Sequence, residues 1–270
     1  AKLIIMACSG IGTPRLLFNS ANKFYPNGLS NSSGVLGKNL MFHPLGYVEG
    51  KFKNFIDSKS DPEGCCIASQ EFYENNKNQG FKRGYTMQIL RPQRPIETAQ
   101  YLRKLKKLSF GKNFHNQYLQ HYGHTIPIAI ICEDLPELRN KVELDKNIKD
   151  SNNIHGVKIS YKLSDNSKKI LKHGISKAKE LLLKAGAESV FGFGPVRYAG
   201  WHLMGTAKMG KNKKESVVNE FGQSHDIKNL VIVDSSIFVT SGAVNPMSTL
   251  QALALRNTEK IKSNPELYFS

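Results

Sequence analysis

The sequence lacks any apolar run long enough to cross a bilayer. Its apolar runs at residues 3–8 and 128–132 fall far short of the ~20 residues that a membrane-spanning helix needs. The chain also opens at Ala1 with no signal-like segment. We therefore predict no transmembrane segment, and the sequence leaves a periplasmic or cytoplasmic location open.

Cysteine is scarce, with 4 residues in the whole chain. Their spacing matches neither a zinc site nor a disulfide framework. Cys8 ends an apolar run, which predicts a buried core thiol, whereas the adjacent pair at 65–66 has no assigned role. His115, His121 and His124 lie close in sequence but lack the regular spacing of a metal site, so we predict no metal.

Acidic residues are few relative to basic ones, 22 against 38, and the formal net charge is +16. The basic runs at 103–107 and 211–214 match no nucleic-acid-binding fold pattern, which argues against a nucleic-acid partner. Two explanations of the charge remain: a solvated basic surface, or long-range attraction of anionic substrates or an acidic redox partner. A non-enzymatic protein that binds polyanions is the alternative from another functional class.

A dinucleotide-binding glycine fingerprint is also missing. The nearest candidate is Gly10-Ile11-Gly12, but Arg15 stands where the third glycine belongs. Residues 2–7 nevertheless indicate a strand buried on both faces, which needs neighbours on both sides. We therefore expect this chain to be the C-terminal portion of a longer protein whose main nucleotide-binding βαβ unit is absent.

The pattern of residues predicts the following elements. Residues 1–22 indicate a strand, a tight turn and a helix that Thr13 caps and Pro14 opens. Residues 26–44 indicate a long loop. Residues 166–185 form a strongly amphipathic helix with Ile170, Leu171, Ile175, Ala178, Leu181 and Leu182 on one face, ended by Gly186. Further helices are predicted at 100–109 and after Pro246, and for the first of these a surface location is favoured over a membrane. Further strands are predicted at 46–52, 65–72, 85–90, 126–133, 141–144, 157–161 and 230–233.

Three stretches carry a resemblance to a known family. They are residues 200–257, which begin GWHLMGTAKMG, residues 9–20 (SGIGTPRLLFNS), and residues 28–44 (GLSNSSGVLGKNLMFHP). Together they resemble the glucose–methanol–choline (GMC) family of flavin oxidoreductases. Within that family, their amino-acid sequences most resemble those of the gluconate-dehydrogenase-like branch. Gly10 and Ala21 depart from the strict form of the family's Thr-Pro signature.

The resemblance implies an FAD enzyme that oxidises the alcohol group of a sugar acid, sugar or polyol. Alcohol oxidation removes a hydride from carbon, which flavin N5 accepts, and a proton from oxygen. His202 and Asn245 stand at the family's active-site pair. A histidine is suited to take the proton near neutral pH, and an asparagine can hold the hydroxyl oxygen. His43, which closes the loop before Pro44, is favoured as structural, as is the adjacent pair His225-Asp226.

The resemblance also implies cofactor contacts and a fold. Gly10 and Thr13 are expected against the adenosine or pyrophosphate part of FAD, and Asp234 with Ser235 near its ribityl–pyrophosphate region. Pro246 and Met247 begin a helix whose free amides would face the flavin.

The predicted class is α/β plus α+β: part of a Rossmann-like FAD-binding domain, with an inserted substrate domain built on an antiparallel sheet flanked by helices. Residues 1–45 and 200–270 are predicted to form the FAD-binding domain, and residues 46–199 are predicted to form the substrate-binding domain. Within enzymes, the alternative is an oxygen-using oxidase of pyranose-oxidase type. A dehydrogenase would instead deliver electrons to a cytochrome or a quinone.

Overall fold

The computed structural model describes residues 1–56, 65–74, 79–91, 94–104 and 107–269. The chain forms two compact units. Unit 1 comprises Ala1–His43, Glu133–Ser164 and Gly200–Ser270, and unit 2 comprises Pro44–Cys132 and Asp165–Ala199. In chain order the elements are β1 (Ile4–Met6), α1 (Ser9–Asn19), β2 (Leu45–Lys51), β3 (Cys65–Ser69), β4 (Tyr85–Leu90), α2 (Pro95–Lys104), α3 (Phe114–Leu119), β5 (Thr125–Cys132), β6 (Lys141–Lys149), β7 (His155–Ser160), α4 (Asp165–Lys184), β8 (Ser189–Phe193), β9 (Leu230–Ile232) and α5 (Met247–Ser263), with short 3-10 helices at Ser235–Ile237 and Pro265–Leu267.

Unit 2 is built on a five-stranded antiparallel sheet in the order β3-β4-β5-β2-β8. The predicted antiparallel sheet is therefore confirmed, whereas the predicted strands at 141–144 and 157–161 form a separate sheet. Its central strand β5 reads TIPIAIIC, and burial on both faces explains this nearly continuous apolar run. Helix α4 lies along one face of the sheet, where Val48, Ile128 and Ile130 meet Ile170 and Ala178 in one core.

Glycines on β2 allow the close approach of α4 to the sheet. A β-carbon on Gly46 would lie 3.1 Å from Leu171, and one on Gly50 would lie 3.2 Å from Leu182. Because the side chains of a strand alternate, Tyr47, Glu49 and Lys51 lie on the other face of the sheet from these glycines. The sheet thus has one apolar, helix-covered face and one face that carries ionisable groups.

Unit 1 contains two small sheets rather than one large one. β1 pairs in parallel with β9, and β6 pairs antiparallel with β7. Its main core joins buried residues of β1, α1, β9 and the 206–218 segment. The predicted loop at 26–44 is confirmed, since this stretch holds only isolated bridges.

The structure divides the chain differently from the segments that the sequence suggested. The hairpin β6–β7 lies in the predicted substrate segment 46–199, yet it belongs to unit 1. The reason is that it packs on α1, where Arg15 donates to the carbonyl of His155 and pairs with Asp150 at 2.8 Å. The assignment of the segments to FAD and to substrate stays a prediction.

Several local predictions were wrong. Cys8 is exposed rather than a core thiol, because it precedes α1 instead of lying inside β1. Ile4 and Ile5 are 45% and 56% exposed within this chain, so the burial of β1 on both faces stays a prediction about the longer protein. The apolar face predicted for α4 is narrower than expected, since Leu181 is exposed.

Helix bounds differ as well. α1 begins at Ser9, so Thr13 lies inside the helix and does not cap it, and Pro14 lies beyond the first turn. The helix predicted at 100–109 is α2, which begins earlier, at Pro95; part of the predicted span falls at residues 105–106, outside the described residues. α3 and β8 were not predicted as elements.

Candidate active site

Helix α1 and the end of β9 are joined by a short hydrogen bond between two predicted site residues. Thr13 is fully buried and its Oγ1 donates to Oδ2 of Asp234 at 2.5 Å. Asp234 follows β9 and caps the short 3-10 helix, where its other carboxylate oxygen accepts from the amide of Ser236 at 2.8 Å. Both carboxylate oxygens are therefore engaged, which fixes the orientation of this buried acid.

Gly10 is in α1, where it allows the segment after His202 to approach the helix. A β-carbon at Gly10 would lie 2.6 Å from the carbonyl oxygen of Leu203. Pro14 has no N–H to donate to the Gly10 carbonyl one turn earlier. The Oγ1 of Thr206 donates to that carbonyl at 2.7 Å instead. Gly10 thus has a packing role here, and its predicted contact with FAD stays a prediction.

The segment 203–209 is also held from its other side by the 3-10 helix. The hydroxyl of Ser235 donates to the carbonyl of Leu203 at 2.6 Å, and the amides of Gly205 and Ala207 donate to the carbonyls of Ser235 and Ser236. The predicted residues Gly10 and Ser235 therefore contact one short segment from two sides, and the bond between Thr13 and Asp234 joins the elements that carry them. That segment follows His202 directly.

His202 faces His43 across an antiparallel bridge. Met41 and Met204 exchange amide-to-carbonyl hydrogen bonds of 3.0 and 3.1 Å, and this register places residue 43 opposite residue 202. The two imidazole rings meet edge to face with centroids 4.9 Å apart. His43 is only 2% exposed. The sequence analysis favoured a structural role for His43 and did not place it beside His202, because the two lie far apart along the chain.

The backbone and imidazole of His202 have unusual properties. Its φ of +57° lies in the left-handed region, which is uncommon for a residue with a side chain. Its Nδ1 is buried and has no hydrogen-bond partner among the described residues. Burial lowers the pKa of His202 below its ordinary value. The lowered pKa favours the neutral imidazole, in which one of the two ring nitrogens carries no proton.

Helix α5 begins one residue later than predicted, with Pro246 at the N-cap position and Met247 as the first helical residue. No acidic residue lies in its first turn, and Met247 is 59% exposed. The first amides of the helix therefore point out of it with partial positive charge and no competing carboxylate. Leu250 and Leu253 of α5 pack on Met41 and Met204, the same pair that aligns the two histidines.

The structure connects these residues to different degrees. Contacts join Gly10 and Ser235 to the segment after His202, a hydrogen bond joins Thr13 to Asp234, and α5 packs on Met204 of that segment. Asn245 is exposed and directly precedes Pro246. That His202 and Asn245 face one substrate stays a prediction.

The other candidates take part in local bonding. His225 Nε2 contacts Ser216 Oγ at 2.9 Å and the Gly210 carbonyl at 3.0 Å, whereas Asp226 accepts from Ser32. The adjacent pair therefore points to different partners.

Over the described part of the chain, no group of three or more His, Cys, Asp or Glu could hold a metal ion, and no helix there is long and apolar enough to cross a membrane. A groove of about 720 Å³ in unit 1 is lined by Lys208, Lys211 and residues around them, and does not include His202.

Thr206 is the residue of this region whose role the sequence analysis missed. Its motif, GTAKMG at 205–210, entered the sequence analysis only as part of a stretch that resembles the family. A signal was present in the sequence, because Pro14 inside a helix leaves one carbonyl without its backbone donor. The identity of the replacement donor depends on tertiary contacts 196 positions away along the chain.

Comparison with known proteins supports one family. Residues 136–254 match the family model of the GMC oxidoreductases. The chain is 36% identical over 95% of its length to 2-methyl-1,2-propanediol dehydrogenase of Mycolicibacterium austroafricanum, covering 47% of that protein. It is 28% identical to the fructose dehydrogenase large subunit of Gluconobacter japonicus, over 97% of this chain and 47% of that one. A gluconate 2-dehydrogenase flavoprotein from Pantoea cypripedii is 21% identical, over 96% of this chain and 42% of that protein.

A solved structure agrees in fold. A formate oxidase of Aspergillus oryzae RIB40 superposes with a TM-score of 0.66 at 15% sequence identity, and the match covers 98% of this chain and 55% of that chain. The chain spans about half the length of the relatives that it matches. On the family-model match and the similarity along nearly its whole length, this chain belongs to the GMC oxidoreductase family.

Proposed function

We propose that the protein carrying this chain oxidises the alcohol group of a polyol, sugar or sugar acid, with FAD as cofactor and His202 as the base. The observation that carries the proposal is the imidazole of His202. It has a buried nitrogen without a partner among the described residues, and burial lowers its pKa. A neutral, partly desolvated imidazole beside a rigid backbone segment is suited to general base catalysis.

Each residue of this chain has a distinct part in the proposed reaction. His202 accepts the proton of the substrate hydroxyl, and Asn245 donates a hydrogen bond to the hydroxyl oxygen so that the substrate is held in one orientation. His43 supports the ring of His202 from its edge. Because the pKa of His202 lies below 6.5, most molecules carry the basic form at pH 7.

The residues of unit 1 fit a dinucleotide cofactor. The first turn of α5 offers unpaired amides and no acidic side chain, which suits an electron-rich group. The ribityl–pyrophosphate region would be held by Ser235 and by Asp234, which Thr13 orients. Gly10 allows the segment after His202 to pack closely on α1. When bound, the flavin supplies the hydride acceptor for alcohol oxidation.

The relatives suggest the substrate class. Their names specify a short diol, a ketose and a sugar acid, which share a hydroxyl-bearing carbon beside a second oxygen-bearing carbon. We infer that this protein also acts on such a compound. The electron acceptor would be a cytochrome or quinone for a dehydrogenase, or oxygen for an oxidase.

The test is anaerobic bleaching of the flavin in the complete protein that carries this chain. We would add 2-methyl-1,2-propanediol, fructose, gluconate and sorbitol in turn. At least one is expected to bleach the flavin in the wild type, and His202→Ala is expected to slow bleaching by about 10²–10⁴-fold, the usual contribution of a positioned base. His115→Ala, a change at an exposed histidine of α3, is the matched control.

The pH dependence of bleaching adds a second criterion. The rate should be level above pH 7 and fall below pH 6.5, because protonation of His202 removes the base. An unaltered rate in His202→Ala would refute the assigned base. A protein that retains no flavin after purification would contradict the proposed cofactor, and peroxide formation in air would favour the oxidase over the dehydrogenase.

A further inference from the structure

Unit 2 contains a small cavity that the proposed reaction does not use. Its volume is about 140 Å³, and it lies over the ionisable face of the sheet. Glu49 and Lys51 of β2 line it from one strand and Thr125 of β5 from the next. Lys107 and His121, from the segments that follow α2 and α3, line its other side.

Glu49 is the one acid among the cavity-lining residues described, and it is buried, with 7% of its surface exposed. Its carboxylate accepts a hydrogen bond from Tyr47 at 2.7 Å. Burial raises the pKa of Glu49 to about 7, although the hydrogen bond from Tyr47 and the charge of Lys107 oppose that shift. Near neutral pH this side chain therefore exists in both neutral and ionised forms.

The other polar side chains that line the cavity, including Ser189, can all donate hydrogen bonds. Lys51 and Lys107 carry positive charge, and Thr125 contributes a hydroxyl that is 5% exposed. Burial lowers the pKa of His121, the nearby charges of Lys51, Lys107 and His124 add to that effect, and its Nδ1 contacts the Gln117 carbonyl at 3.1 Å.

The surrounding sequence is positive too. Residues 98–132, which supply four of the nine residues that line the cavity, contain 5 Lys or Arg and no Asp or Glu. Glu188, which shares an adjoining cavity with Lys51, is exposed to solvent.

We propose that this cavity is a site for a small oxyanion, which Lys51, Lys107 and Thr125 bind when Glu49 is protonated. With Glu49 neutral, the lining carries two positive charges and a further O–H donor. With Glu49 ionised, its carboxylate is itself the anion that balances one lysine, and a second anion is repelled. Two cationic donors and a buried hydroxyl around a cavity of this size match a sulfate or a carboxylate group. The source could be a free inorganic anion or the carboxylate of a sugar acid.

The experiment is calorimetric titration of the complete protein with sodium sulfate, sodium gluconate and neutral sorbitol, at pH 6 and pH 8 and constant ionic strength. Neither anion titrates in this range, so the protein supplies any pH dependence. If binding requires neutral Glu49 with a pKa of about 7, the apparent affinity for sulfate should be about tenfold higher at pH 6 than at pH 8. Sorbitol should not bind this site.

Variants make the assignment specific. Glu49→Gln should bind equally at both pH values and as tightly at pH 8 as the wild type does at pH 6. Lys107→Gln should weaken binding, whereas Lys53→Gln, which removes an exposed charge near β2 but outside this cavity, should not. Circular dichroism would confirm that each variant is folded.

The outcomes separate the sources and decide the proposal. Binding of both anions indicates a general oxyanion site, and binding of gluconate without sulfate indicates the carboxylate of a sugar acid. No heat with either anion at pH 6, equal weakening in Lys53→Gln and Lys107→Gln, or an unchanged pH dependence in Glu49→Gln would each overturn the proposal. The calorimetric measurement does not depend on flavin bleaching. If no compound bleached the flavin, the proposed oxyanion site would be unaffected.

Discussion

Single residues determine how the buried charges of this protein respond to pH, and Glu49 is the clearest case. Its pKa is raised from 4.5 to about 7 because the carboxylate loses hydration in the core of unit 2. The folded state therefore binds a proton that the unfolded chain releases at lower pH. This contribution to stability is complete below pH 4.5 and is lost as the pH rises through 7.

Glu49→Gln should therefore stabilise the protein at pH 8 and have little effect at pH 5. The amide keeps an acceptor for Tyr47 but carries no charge to bury, and the shift corresponds to roughly 1–3 kcal/mol in the free energy of unfolding. Urea denaturation at the two pH values measures this change. Glu71→Gln, at an exposed position of unit 2, is the control, and equal effects of the two substitutions would contradict the assigned burial cost.

A second residue-scale prediction concerns the carbonyl that Pro14 leaves without its backbone donor. Thr206→Val preserves shape but removes the hydroxyl that donates to Gly10, so it should destabilise the protein by about 1–3 kcal/mol, the cost of an unsatisfied buried acceptor. Thr206→Ser keeps the hydroxyl and should retain most of the stability. Thermal denaturation of both variants tests this, and a Val variant as stable as the wild type would show that the carbonyl has another donor.

At the scale of elements, the end of α4 is fixed by a glycine whose role was predictable. Gly186 has φ +94°, its amide donates to Leu183, and the next amide donates to Leu182. This is the Schellman pattern, in which a left-handed residue satisfies the last carbonyls of a helix. The predicted helix end is confirmed.

Gly186→Ala should cost about 1–2 kcal/mol, because an L side chain disfavours the left-handed conformation. Sterics do not contribute, since no atom lies within 4 Å of the added β-carbon. Gly186→Asn should cost less, because asparagine tolerates this conformation better. Urea unfolding would compare the three proteins, and equal stability of the Ala variant and the wild type would argue against the backbone origin.

At the scale of the whole molecule, the net charge of +16 acts against compactness. Repulsion between like charges is screened within about 8–10 Å at physiological ionic strength. Raising sodium chloride from 20 mM to 500 mM should therefore raise the melting temperature, which differential scanning calorimetry would show. A melting temperature that falls with salt would indicate that local ion pairs such as Arg15–Asp150 outweigh the general repulsion.

The sequence by itself determined the elements with a strong period and a clear end. β4 was predicted at its observed bounds, α4 to within one residue at each end, and the long loop before Pro44 by its composition. These features depend on side chains close in sequence, where periodicity and capping act. The same locality explains the misses: α3 is only six residues long, and β8 is short and aromatic, so neither has a period to detect.

Only the tertiary structure decided which distant residues meet. The register of Met41 and Met204 places His43 against His202. Thr206 donates to the Gly10 carbonyl, which Pro14 leaves without a backbone donor. The hairpin β6–β7 joins unit 1 because Arg15 binds it. Burial likewise decided that Glu49 titrates near neutral pH. Desolvation and hydrogen-bond satisfaction depend on what surrounds a group in space, and residue type and spacing along the chain do not specify those surroundings.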